Sequence, residues 1–148
     1  MAILKQLDSG VFVSGQIEAA DVAAAAARGV GHIVCNRPDG EDEGQPAAAE
    51  VARWAEAAGL AFHHIPVHGN GITPEAVEAM AAHLDDAAAA PLLAYCRSGG
   101  RSAALWALAA AFTGRHPPER ILGLAHNAGY DLASLAPVLA RLANHGLG

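Results

Sequence analysis

Residues Pro91 to Phe112 read PLLAYCRSGGRSAALWALAAAF, and this stretch decides the architecture. Leu92 to Tyr95 is an apolar run of strand length. Ser102 to Thr113 is long enough for a helix and apolar on nearly every face, so both elements belong inside the protein. Between them, Cys96-Arg97-Ser98-Gly99-Gly100-Arg101 must turn the chain sharply. The paired glycines allow positive φ, so that successive N–H groups point inward and form an anion cradle. The thiol at its base faces the positive end of the following helix and two arginines, which favours the thiolate, the reactive species. A buried structural cysteine has no need of two glycines and two arginines after it. Cys96 therefore reads as a nucleophile.

Working outward, the 148 residues fit one domain, residues 1–148, with a core large enough to need neither disulfides nor a structural metal. The two cysteines, Cys35 and Cys96, make no disulfide framework, and the opening MAILKQLDSG lacks the basic start and apolar core of a secretion signal. A cytoplasmic location is the expectation. No apolar run approaches the ~20 residues that span a bilayer. Fifteen acidic against nine basic residues give a net charge of −6 without a basic cluster, which argues against a nucleic-acid partner.

Along the chain, Ile3–Leu7 and Val11–Ser14 flank the turn Asp8-Ser9-Gly10 and predict a hairpin. Glu18–Arg28 and Ala47–Ala58 predict helices stopped by Gly29 and Gly59, with a strand at His32–Asn36 between them. A strand at Ala61–Val67 and a loop at His68–Ile72 follow. Thr73-Pro74-Glu75 then starts a helix that ends near Ala87. After the central helix come a short helix, Glu119–Leu124, and a last one, Leu132–His145. Strand and helix alternate from residue 30 to 113, which predicts an α/β fold with a mainly parallel sheet flanked by helices. In such sheets ligands sit beyond the carboxyl ends of the strands. That rule brings together three loops, Arg37–Glu43, His68–Ile72 and Cys96–Arg101.

The loop with its arginine, followed by Ser102, resembles the nucleophile loop of cysteine phosphatases and rhodanese sulfurtransferases. Together with NRPDGE (Asn36–Glu41), IPV (Ile65–Val67), AYCRSGGRSA (Ala94–Ala103) and AGYDL (Ala128–Leu132), the chain resembles the beta-lactamase-hydrolase-like family nearly end to end. That family is labelled both phosphatase and sulfur transferase. The resemblance implies a tyrosine or dual-specificity phosphatase-like fold. Tyrosine phosphatases carry five residues between Cys and Arg. Here four, Arg97 to Gly100, separate Cys96 from Arg101, a span that resembles rhodanese loops. A shorter cradle holds fewer inward amides and suits a terminal sulfur better than a phosphoryl group. A phosphatase also needs an acid to protonate its leaving group, and the loop GNGIT carries none.

The expected function is sulfane-sulfur transfer through a Cys96 persulfide, with a small anionic donor such as thiosulfate or a persulfide and a thiol acceptor. The alternative is a phosphatase acting through a cysteinyl-phosphate on a phosphorylated substrate. A third class is an anion-binding pseudo-enzyme. In the expected site Arg101 closes the cradle with a bidentate fork, and Ser102 bonds the thiolate or caps the helix. Ser98, Gly99 and Gly100 supply the cradle, and Arg97 steers anionic donors or is simply solvated. Arg37 reaches the substrate or pairs with Asp39, Glu41 or Asp42. Asp39 is an acid candidate or an ordinary Asp-Gly turn, and His68 is a substrate contact. Cys35 is a buried strand residue rather than a resolving thiol. His63, His64 and His68 match no zinc spacing, so neither metal nor cofactor is expected. His126, Asn127 and Tyr130 read as a capped helix end.

Overall fold

The computed structural model describes residues 2–69, 71–86 and 90–146. Asn70 and Ala87, which the sequence puts in a loop and at a helix end, lie outside the described residues. Strands β1 (Lys5–Asp8), β2 (Val11–Ser14), β3 (His32–Cys35), β4 (Ala61–His64) and β5 (Leu92–Tyr95) form one sheet in the order β1-β2-β5-β3-β4. The β1–β2 hairpin is antiparallel, and every other pairing is parallel. Strand β5 is central because all four of its residues are apolar and its two faces meet different layers. Leu92 and Ala94 join one core cluster, Leu93 and Tyr95 the other. Period-two alternation with both faces covered needs such a continuous apolar run.

Helices α1 (Ala19–Ala27) and α2 (Ala48–Ala57) cover the face of Leu93 and Tyr95, with Val22, Ala25, Val51 and Ala55 buried there. Helices α3 (Pro74–Asp86), α4 (Gly100–Phe112), α5 (Pro118–Asn127) and α6 (Ala136–His145) form the opposite layer. Helix α4 lies inside this layer, against α3, α5 and α6. It has no polar face to expose, and nine of its residues from Ser102 to Ala111 are buried. Full burial of each large aliphatic side chain is worth about 1.5–3 kcal/mol, so α4 and β5 anchor the Cys96 loop from both ends.

Several boundaries differ from expectation, most of them for a local reason. Helix α4 starts at Gly100 rather than Ser102, because Gly99 already serves as its N-cap and accepts the Ala103 N–H at 2.9 Å. The β4 ladder stops at His64, although Ile65 N and Val67 N still donate to Cys35 O and Asn36 O, both at 2.9 Å. The last helix breaks into a 3-10 turn, Ala133–Leu135, and then α6. Pro137 lacks an N–H and its ring would strike the preceding turn, so it is tolerated only in the first turn. The short helix expected at Glu119–Leu124 extends to Asn127.

Candidate active site

The parallel strands end together, and the loops after β3, β4 and β5 converge around Cys96. This residue is fully buried and free. Its backbone N–H donates to Ser14 O at 3.3 Å, tying the start of the loop to β2. Gly99 takes φ 94, a conformation costly for any residue with a Cβ, and there its N–H donates to Cys96 Sγ at 3.0 Å. One glycine rather than two carries the positive φ, since Gly100 is already the first residue of α4. Gly15 explains how the loop packs so closely on β2, because a Cβ there would lie 3.0 Å from Arg97 O.

Arg101, in the first turn of α4, is held in a fixed attitude. Its Nη1 donates to Glu41 Oε2 and to Val67 O, each at 2.7 Å, and its Nη2 donates to Glu41 Oε1 at 2.8 Å. A guanidinium has five N–H groups in a rigid plane. Three are used in this way, and the Nε–H with the second Nη2 hydrogen remain as a side-on fork for an anion. The Arg101 pair, and after it Arg37, holds the Glu41 carboxyl down at about 2, although burial opposes the shift. Reciprocally, Glu41 first and Cys96 behind it push the Arg101 pKa up. Glu41, Asp42, Gly69, Arg97, Ser98 and Arg101 line an open cleft of about 450 Å³.

The other expected site residues separate into those at the cleft and those engaged elsewhere. Arg97 is at the rim, its side chain 68% exposed and its Nε 3.1 Å from Asp42 Oδ2. Arg37 is not available to a substrate. Its side chain is 4% exposed, and Nε donates to Glu41 at 3.0 Å, Nη1 to Gln16 Oε1 at 2.9 Å, and Nη2 to Asp42. It braces the acidic loop, the ion-pair branch of its two expected roles. Asp39 is not at the cleft either: its Oδ1 accepts the N–H of Ala48 at 2.8 Å and so caps the start of α2. The Ser102 hydroxyl donates to Asn36 Oδ1 at 2.8 Å, so its one proton is not directed to Cys96. Asn36 Nδ2 in turn donates to Ile65 O at 3.0 Å, which locks α4 to the ends of β3 and β4. His68 is exposed and paired by its backbone with Gly71.

Cys35 lies on the α1–α2 face beside Tyr95, its Sγ donating to Arg37 O at 3.4 Å, and burial first of all pushes its pKa up. Among the described residues, no group of histidine, cysteine, aspartate and glutamate could hold a metal. No helix of the described residues is long and apolar enough to cross a membrane.

The reading from sequence named Glu41 and Asp42 only as partners of Arg37, on a loop expected at the site, and assigned no part in the site to Asn36 or Tyr130. Glu41 and Asn36 both stand in the quoted stretch NRPDGE, whose loop was expected beside the cradle, but no residue near them names Arg101 or Ser102 as the partner. Tyr130 does end a capped helix, with its N–H on Ala125 O at 2.9 Å. Its hydroxyl, however, reaches the cradle, where a Cβ on Gly99 would meet it at 2.2 Å.

The family model for the beta-lactamase hydrolase-like protein, phosphatase-like domain, matches residues 4–113. The chain is 32% identical over 136 residues to a beta-lactamase hydrolase-like protein of Agrobacterium fabrum, covering 92% of this chain but 31% of that protein. It is 33% identical over 131 residues to one from Xylella fastidiosa, covering 88% and 30% respectively. The chain thus spans under a third of these relatives' length. Among solved structures, a candidate phosphatase of Neisseria meningitidis is 36% identical, with a TM-score of 0.78 over 93% of this chain and 96% of that one. Kinase associated phosphatase, at 12% identity, shares the fold alone, with a TM-score of 0.77 over 99% and 95% of the two chains. The phosphatase-like α/β fold expected from the motifs is the observed one. Between the two reactions, these likenesses favour the phosphatase, and they add no support for sulfur transfer.

Proposed function

We propose, for a chain that belongs to the phosphatase-like domain family of beta-lactamase hydrolase-like proteins, that Cys96 is the nucleophile of an enzyme that moves sulfane sulfur. The observation that carries this reading is the want of an available acid. Among the described residues, the carboxylates that line the cleft are Glu41 and Asp42, and both are paired with arginines. Glu41, at about 2, is ionised at neutral pH and has no proton to give an alkoxide or phenolate. Asp39 caps α2. Sulfur transfer does not need that proton, because the groups expelled are stable anions.

In the first step the Cys96 thiolate attacks the outer sulfur of a persulfide or thiosulfate. A new S–S bond forms, the donor's S–S bond breaks, and its electron pair leaves on a thiolate or sulfite. The side-on fork of Arg101 and the Gly99 amide hold the anionic sulfur. An acceptor thiolate then attacks the outer sulfur of the Cys96 persulfide, and Cys96 departs as thiolate, restored.

The second reading, a phosphatase, is favoured by the family and by the solved neighbours. In it Cys96 forms a cysteinyl-phosphate, the Arg101 fork binds two phosphoryl oxygens, and the leaving group must depart without a carboxylic acid. Parallel assays with thiosulfate and with an aryl phosphate separate the two. Sulfur transfer predicts the gain of one sulfur mass on the intact protein, abolished in Cys96→Ser and kept in Cys35→Ser. Brisk aryl phosphate hydrolysis with no sulfur adduct would replace the first reading by the second.

A further inference from the structure

The stretch Ala128–Leu132, AGYDL, has no part in either reaction, yet its tyrosine rests against the cradle. Helix α5 is fixed to the core through fully buried Ile121 and Ala125, and Gly129, at φ 97, turns the chain back after it. The Tyr130 N–H then donates to Ala125 O at 2.9 Å, so the ring projects from an anchored backbone. Its target is Gly99. A Cβ built on Gly99 would lie 2.2 Å from the Tyr130 hydroxyl oxygen, 3.1 Å from Cζ and 3.4 Å from the backbone carbon of Ser14. Gly99 is therefore clasped between the tyrosine and the end of β2. It is also the residue whose N–H reaches Cys96 Sγ.

We propose that Tyr130 is a positioning residue of the cradle: its ring and hydroxyl hold Gly99 in the left-handed conformation that aims the Gly99 N–H at Cys96. A glycine has the widest conformational choice of any residue, so an amide it carries stays aimed only if something else restricts it. The tyrosine restricts it from outside the chain segment that makes the loop. Burial first, and the charge of Cys96 second, push the phenol pKa up, so the group that rests on Gly99 is a neutral hydroxyl and brings no competing anion to the cradle. This inference rests on Cys96 as the nucleophile, which is common to both reactions above.

The test compares the full chain with Tyr130→Ala and Tyr130→Phe by amide hydrogen exchange and by steady-state kinetics with thiosulfate and with an aryl phosphate. Tyr130→Ala is expected to speed exchange of the Gly99 amide about tenfold or more while the Leu93 amide, in β5, keeps its protection. On whichever substrate turns over, kcat is expected to fall about fivefold or more with KM within about twofold, the pattern of a group that acts through another. Tyr130→Phe removes the hydroxyl but keeps Cζ and the ring beside Gly99, and is expected to fall between the parent and the alanine variant in both measurements. Unchanged Gly99 exchange in Tyr130→Ala overturns the proposal. So does a loss carried by KM, which would make Tyr130 a substrate contact, or a phenylalanine variant as impaired as the alanine one. Should neither substrate turn over in the parent protein, the proposed reactions fail and hydrogen exchange alone decides the role of Tyr130.

Discussion

Replacing Gly99 with alanine perturbs the cradle at its tightest point, and the structure sets the size of the effect. The left-handed φ of 94 costs an alanine about 1–2 kcal/mol. The new methyl group would also lie 2.2 Å from the Tyr130 hydroxyl, so the ring must shift or the loop must move. Overpacking of this kind adds about 1–3 kcal/mol. Together the two effects come to roughly 2–5 kcal/mol, and for a chain of this length each kcal/mol lowers Tm by about 2–4 °C. A fall in Tm of about 4–20 °C is expected by scanning calorimetry. The double variant Gly99→Ala, Tyr130→Ala removes the collision but keeps the strained backbone. Its loss should therefore be smaller than the sum of the single losses by about 1–2 kcal/mol, a coupling that a double-mutant cycle measures directly. A Gly99→Ala protein within about 1 °C of the parent, or strictly additive losses, would refute the close contact and the conformational argument with it.

Further outcomes follow from the ion pairs, the caps and the histidines. Glu41 has its folded pKa depressed to about 2 from 4.5, so its stabilising contribution is complete above 4.5 and is lost as pH falls toward 2. Because the pair is partly exposed, that contribution is about 1 kcal/mol, and urea unfolding should show a shallower acid loss in Glu41→Gln than in the parent over this window. Asp39→Ala removes the α2 cap and should lower stability by about 1 kcal/mol without the collapse of turnover that a catalytic acid would show. His63 stacks on His83, ring centroids 3.8 Å apart, and burial first of all lowers both pKa values below 6.5. Their contribution to stability is present above 6.5 and declines as pH falls below it, because the unfolded chain takes up protons first. Proton titration of both rings by NMR checks this, and midpoints above 6.5 would contradict it.

The fold was legible because its signals are local. The apolar run of β5, the apolar helix after it and the glycines past α1 and α2 each follow from a few adjacent residues. The cradle was legible for the same reason, since Cys96, Gly99 and Arg101 lie within one turn of chain. What the sequence hid is what distance in the chain hides. Nothing near Glu41 announces that Arg101, sixty residues on, will take both of its oxygens, and nothing in AGYDL says that Tyr130 will stop against Gly99. Arg37, Asp39 and Ser102 were drawn to the site by residue type. Each found an earlier obligation, to Glu41 and Asp42, to Ala48 and to Asn36.

The packing of α4 also bears on how such a protein can diversify. Ala103, Ala107, Ala109, Ala110 and Ala111 are buried to within 1%, so almost any enlargement there overpacks a layer that already touches three other helices. Each such change costs about 1–3 kcal/mol, a large share of the stability of a domain this size. The rim positions Gly69 and Arg97 are instead exposed and can be exchanged at small cost, whereas Glu41 and Asp42 are tied to the buried Arg37. Tolerance to substitution is thereby unequal: the helix behind the Cys96 loop can take almost no enlargement, while the exposed rim of the cleft can take change readily.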